Sequence, residues 1–223
     1  MSLKFYYDLM SQPSRAIYVF LKVTGIKFES KPTILGKLGH KSEEFLKINP
    51  IGQVPVIDDN GFIVRESVGI LRYLCREKGI PDHWYPKESK AQAKLDEFIE
   101  WQHIGLRLPC AFYFKLKWLE PRLTGEKPLE SEIERFQPLM LDSCDLMETF
   151  WLNHNKKFLF GNHLTIADLL AVMELEQPKL CGFDPRQGRP RLAAYMASVK
   201  SETSPYYDEA NKIIDKLASM SKL

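Results

Sequence analysis

Cysteine is sparse in this 223-residue chain. Four residues, Cys75, Cys110, Cys144 and Cys181, lie far apart, with no Cys-x-x-Cys pair and no histidine at metal-ligand spacing. That excludes a local dithiol or zinc motif and reads as reduced thiols in a reducing compartment. No run approaches the ~18 apolar residues of a membrane-spanning helix. The first ten residues contain Lys4 and Asp8 and no apolar centre, so they do not read as a secretory leader. An excess of one charge is also lacking. The formal net charge of +2 gives no reason to expect nucleic acid or a membrane surface as partner. No internal repeat or low-complexity stretch appears. What remains is an ordinary composition, 44% hydrophobic and 27% charged, long enough for one or two domains with a sizeable core.

The informative stretch runs from Asn49 to Ser67. An apolar run through Val54-Pro55-Val56-Ile57, an Asn60-Gly61 turn and a second apolar run Phe62-Ile63-Val64 predict a β-hairpin. Pro55, expected inside the first strand, removes a ladder donor. Glu66-Ser67 closes the second strand and opens an amphipathic helix. The N–H groups of a helix start favour an anion. These features fit a docked peptide. Val54 offers main-chain pairing to an extended ligand. Glu66 suits an ammonium, and Ser67 suits a carboxylate. A ligand with both groups at one end and an amide further along is a small peptide such as glutathione.

Taken in order, the chain predicts a strand at Leu3 to Tyr7, a helix after Pro13 ending near Gly25, a strand at Phe28 to Thr33, and a Gly-rich loop from Leu35 to Lys41. A short helix capped by Ser42, the hairpin, and a helix over Val68 to Lys78 follow. The order β-α-β-α-β-β-α is that of a thioredoxin-like domain, assigned to residues 1–78. Residues 1–77 hold eleven Lys and Arg against eight Asp and Glu, a basic half for an anionic ligand. Residues 79–89, with Pro81 and Pro86, read as a linker. Residues 90–223 read as an all-helical domain. A long helix runs toward Trp118 with a kink at Pro109. A loop spans Pro121 to Pro128, and a helix spans Leu129 to Asn153 with Pro138 inside it. Thr165 and Asp168 form a capping pair for a buried apolar helix. Two further helices close the chain.

The Val-Pro hairpin, the Glu-Ser helix start and the run Tyr6-Tyr7-Asp8-Leu9-Met10-Ser11-Gln12-Pro13-Ser14-Arg15-Ala16 make the chain resemble a glutathione transferase, and the theta class in particular. The resemblance covers nearly the whole chain. It implies conjugation of glutathione, as co-substrate and without another cofactor or a metal, to small electrophiles such as alkyl halides and activated alkenes. It also implies reduction of organic hydroperoxides, a role in detoxification and a homodimer.

The loop before the first helix is where thioredoxin-like domains place reactive groups. Here it offers Ser11 and no sulfur. A hydroxyl without a His-Asp relay is a poor nucleophile, but it can donate a hydrogen bond to a thiolate carried by the ligand. Ser11 is therefore the expected catalytic residue. Tyr6 and Tyr7 are rivals, since other classes use a tyrosine near the end of the first strand; both are read as structural. Carried over from the resemblance, His40, Lys41 and Gln53 would hold the glycyl end of glutathione. Val54 would pair with its backbone, and Glu66 and Ser67 would hold its γ-glutamyl end. Met10, Leu35 and Arg107 would line the electrophile pocket, expected to be more open than in longer theta members.

Two other readings use the same fold. A noncatalytic carrier would hold apolar ligands in the cleft. An interaction module would have lost the ligand residues, which this chain keeps. The expected location is the cytoplasm; the alternative is the peroxisome, through the sequence Ser221-Lys222-Leu223.

Overall fold

The computed structural model describes residues 3–220, so the Ser221-Lys222-Leu223 signal lies outside the described residues. The first half folds around four strands: β1 (Leu3–Tyr7), β2 (Phe28–Pro32), β3 (Val56–Asp59) and β4 (Phe62–Arg65). They order as β2-β1-β3-β4. β1 pairs parallel with β2 and antiparallel with β3, which pairs antiparallel with β4. Helices α1 (Gln12–Val23), α2 (Glu43–Ile48) and α3 (Ser67–Glu77) complete this half. The hairpin turn is made by Asn60 (φ 58°) and Gly61 (φ 94°), two left-handed residues in succession that Asn-Gly tolerates. Pro55 does not sit inside the strand: β3 starts after it, at Val56, so the ladder never meets the missing N–H.

The helical half comprises α4 (Ser89–Gln102), α5 (Leu108–Phe114), α6 (Glu120–Thr124), α7 (Glu130–Leu146), α8 (Ile166–Glu176), α9 (Pro190–Thr203) and α10 (Tyr206–Met220). α4, α5 and α6 form one near-continuous rod joined by π turns at His103–Arg107 and Lys115–Leu119. Gly105 sits in the first π turn because a Cβ there would lie 2.3 Å from the Trp101 ring. Pro109 follows that turn, where the widened turn already breaks the regular bonding. The loop expected from Pro121 begins later. Pro121 stands in the first turn of α6, where its missing N–H costs nothing, and Gly125 (φ 75°) ends the helix. Pro138 is accommodated within α7, and the helix expected to reach Asn153 gives way to a π turn at Met147–Trp151.

α8 is buried at every residue and packs against α1, joining the two halves in a shared apolar core. Trp84, between α3 and α4, packs edge-on against Phe20 of α1 at 5.2 Å. The capping box is present: Asp168 accepts from the Thr165 N–H and hydroxyl, both at 2.8 Å, and from the Leu159 N–H at 3.0 Å. Burial pushes the Asp168 carboxyl up while these donors pull it down. Asp168→Ala leaves three buried donors without an acceptor and is expected to lower stability by about 3 kcal/mol, read from the urea midpoint.

Candidate active site

Ser11 is the N-cap of α1. Its backbone is extended (φ −83°, ψ 122°) and its Oγ accepts the Ser14 N–H at 3.4 Å. An oxygen that accepts from below still has its own proton to donate. Asp8 fixes the approach to this cap: its Oδ1 accepts the Met10 N–H at 2.9 Å, and its Oδ2 accepts the Leu35 N–H at 2.7 Å. Arg15 fixes it from behind. Its guanidinium donates to the carbonyls of Leu9 at 2.9 Å and Met10 at 3.4 Å. It also donates across to the Met173 carbonyl at 2.9 Å and Gln177 Oε1 at 2.7 Å. One fully buried side chain thus ties the Ser11 loop to α8 and the turn after it.

The hairpin presents a second surface. Asn49 Nδ2 donates to the Gln53 carbonyl at 2.8 Å, shaping the turn that precedes a cis Val54-Pro55 peptide. The sheet pairing begins at Tyr6 opposite Val56, so the N–H and C=O of Val54 lie outside the ladder. Glu66 has φ 63°, a left-handed conformation that costs a side-chain-bearing residue about 1–3 kcal/mol. It stands at the N-cap of α3, yet its side chain makes no capping bond and is exposed; Ser67 follows, buried. Gln53, Val54, Glu66 and Ser67 line one small cavity, together with Pro13 of α1 and Arg107 of the π turn.

His40 and Lys41 do not line this cavity; they pack on Gly52, the residue before Gln53. A Cβ at Gly52 (φ 65°) would lie 2.8 Å from Lys41 Nζ and 3.1 Å from the His40 carbonyl, so glycine lets that loop close on the hairpin. His40 Nδ1 is buried without a hydrogen-bond partner among the described residues. Burial first, and the Lys41 charge second, lower its pKa, which keeps the ring neutral near pH 7.

A scan against family profiles matches residues 1–76 to "Glutathione S-transferase, N-terminal domain". The chain is 40% identical over 216 residues to glutathione S-transferase theta-1 of Bos taurus, covering 96% of this chain and 89% of the relative. The chain belongs to the theta-class glutathione S-transferases. Its fold superposes on human glutathione-S-transferase T1-1, apo form, with a TM-score of 0.92 at 37% identity, covering 97% of this chain and 91% of that one. Human glutathione transferase theta-2, solved in complex with glutathione and an unknown ligand, gives 0.91 at 37% identity, covering 97% and 89%.

The residues expected to line the electrophile pocket do not all fall in one place. Met10 packs against an apolar cluster of Phe114, Trp118, Leu180 and Ile214, and Leu35 sits in the loop held by Asp8. Neither lines the cavity of Glu66 and Ser67, whereas Arg107, grouped with them from the sequence, does. The tyrosines have other partners. Tyr6 packs edge-on against Phe45, and the Tyr7 hydroxyl bonds Ser30 Oγ at 2.9 Å. Three residues of this arrangement went unnoticed in the sequence: Asp8, Arg15 and Glu174, whose Oε1 lies 3.7 Å from Arg107 Nε. The available signal was an ion at a core position. Arg15 and Glu174 each interrupt an apolar helix face, which a charged residue seldom does unless paired. Among the described residues, no group of three or more His, Cys, Asp or Glu is placed to hold a metal.

Proposed function

We propose that this transferase binds glutathione along the hairpin, stabilises its thiolate at Ser11 and passes the sulfur to a small electrophile. The observation that carries the reading is the single cavity shared by Gln53, Val54, Glu66 and Ser67 beside the N-terminus of the Ser11-capped helix. Glu66 holds the ligand ammonium, Ser67 and the α3 N-terminus hold the γ-glutamyl carboxylate, and Val54 pairs with the peptide backbone. His40, Lys41 and Gln53 hold the glycyl carboxylate. Residues 1–78 act as the glutathione-binding domain, 79–89 as the linker, and 90–223 as the domain lining the electrophile pocket. In that pocket Met10, with the Phe114 and Trp118 rings, supplies the apolar wall, beside Leu35 and Arg107.

The energetics close without a second base. Lowering a free thiol from about 8.5 by about two units takes about 2.7 kcal/mol. A hydrogen bond to a charged group contributes roughly 1.5–3 kcal/mol, and a helix N-terminus about 0.3–1 kcal/mol. The thiolate then attacks an electrophilic carbon, displacing halide from an alkyl halide or adding to an activated alkene that then takes up a proton. With a hydroperoxide it attacks one oxygen, and the O–O bond breaks to release the alcohol. The resulting glutathione sulfenic acid reacts with a second glutathione to give the disulfide and water. The protein works as a homodimer in detoxification. Its four free thiols suit the reducing cytoplasm, with the peroxisome as the alternative.

The test is to add glutathione at neutral pH and follow thiolate ultraviolet absorbance, then to add an alkyl halide or activated alkene and follow loss of thiol. Thiolate absorbance followed by thiol consumption is expected. A carrier would bind and consume nothing. In the same assay Glu66→Gln is expected to raise the KM for glutathione about tenfold with a smaller change in kcat, because the lost charge pair acts on ground and transition states alike.

A further inference from the structure

α8 carries three buried acids, and two are satisfied. Asp168 is the capping acceptor, and Glu176 accepts the Tyr207 hydroxyl at 2.8 Å. Glu174 is different. It is 2% exposed, its Oε2 has no hydrogen-bond partner among the described residues, and its Oε1 meets only the long 3.7 Å approach of Arg107 Nε. A buried carboxylate left this poorly bonded is unfavourable for folding, and an apolar side chain would fill the same position without that penalty. Its orientation points to another use.

The charged groups facing Glu174 are Arg107 from the π turn and Arg15 from α1, with the Cys110 thiol of α5 beside them. Arg15 is committed to the four oxygens that hold the Ser11 loop. Arg107 is not so committed. Its side chain is 35% exposed, it lines the cavity with Glu66 and Ser67, and its Nε lies 3.7 Å from Glu174 Oε1. The guanidinium is therefore shared between a buried acid and the seat proposed for the γ-glutamyl carboxylate of glutathione.

We propose that Glu174 is a positioning residue that pairs with Arg107 and sets how strongly this guanidinium reaches an anionic ligand held at Glu66 and Ser67. The inference rests on the glutathione reading above. When Glu174 is ionised it competes with the ligand for Arg107. When it is neutral, the full charge of Arg107 faces the cavity. Burial pushes the Glu174 carboxyl up to about 7, with Arg107 and then Arg15 acting against that rise, so both states are populated near neutral pH. The sign follows: affinity for the anionic ligand is highest below that value and falls as pH rises through it. His103, close to Arg107 and Glu66, and His40 at the other end of the seat also respond to pH. Neither is altered by changing Glu174, so a comparison of variants isolates the acid.

The probe is S-methylglutathione, whose sulfur cannot ionise, titrated calorimetrically against the full chain at about pH 6 and about pH 8. For the unmodified protein, affinity is expected to fall about three- to fivefold over this range, the size expected of a partly exposed charge pair. Glu174→Gln should abolish the part of the fall that Glu174 supplies and keep the tighter, low-pH affinity at about pH 8. Arg107→Met should abolish the same part while weakening binding at both pH values, and it keeps the test decisive if Glu174→Gln fails to fold. The same pH dependence in the unmodified protein and in both variants would overturn the proposal while leaving the glutathione reading intact. No binding of S-methylglutathione by the unmodified protein at either pH would overturn that reading itself.

Discussion

Ser11→Ala is expected to raise the titration midpoint of bound glutathione by about two units, from about 6.5 to about 8.5, and so to lower turnover at neutral pH by about twenty- to thirtyfold. The hydroxyl caps the start of α1 beside the ligand seat, and a hydrogen bond to a thiolate is of the size required. The variant should recover much of its rate as pH rises above the free thiol's range, because the thiolate then forms without help. Tyr6→Phe should leave the midpoint where it was. The Tyr6 ring packs on Phe45, and that contact survives loss of the hydroxyl. The reverse ranking would move the role to Tyr6. Removing the Ser11 side chain also removes an N-cap, at a cost of about 1 kcal/mol, so the unfolding midpoint of the variant needs measuring in parallel.

Arg15→Met is expected to have the largest effect on stability, a loss of about 3–5 kcal/mol, with activity lost in whatever fraction remains folded. Four acceptors depend on this guanidinium: the carbonyls of Leu9, Met10 and Met173, and Gln177 Oε1. Two of them lie immediately before Ser11, and two belong to the helical half. Methionine fills the space of the stem and leaves the buried Met173 carbonyl and Gln177 Oε1, and the half-buried carbonyls of Leu9 and Met10, short of a donor. Arg15→Lys restores a charge but not a planar fork able to reach both halves, so lysine should rescue little. Chemical denaturation and kcat measured on the folded fraction read the two effects separately. A methionine variant as stable as the original protein would show that the α1–α8 packing alone holds the halves together.

The parts of this molecule that show in its sequence are those governed by neighbouring residues. The hairpin is legible because Asn60-Gly61 demands its turn and apolar residues flank it. Ser11 is legible because Pro13 marks a helix start and the loop before that helix offers a hydroxyl and no sulfur; that it caps the helix is seen only in the structure. The Thr165-Asp168 capping box is legible at a spacing of three. The end of α6 was missed because a proline both opens and breaks helices; Pro121 opens one, and Gly125 supplies the stop. The strand start was misplaced by one proline for a related reason, since Pro55 can precede a strand more easily than join one. Arg15 and Glu174 show in the sequence only as ions on apolar helix faces, and their partners do not show. Their partners are set by the packing of α1, α8 and the π turn, and Arg15 meets Gln177 across 162 positions of chain. The approach of Arg107 to the cavity of Glu66 and Ser67 follows from that same packing, since the π turn carries it there.

The most direct test of the whole account is a crystal structure of the protein with glutathione bound. The account predicts the tripeptide along Val54, with its γ-glutamyl end at Glu66 and Ser67 and its sulfur within hydrogen-bonding reach of Ser11 Oγ. A ligand seated elsewhere, or a sulfur pointing away from that oxygen, would contradict it.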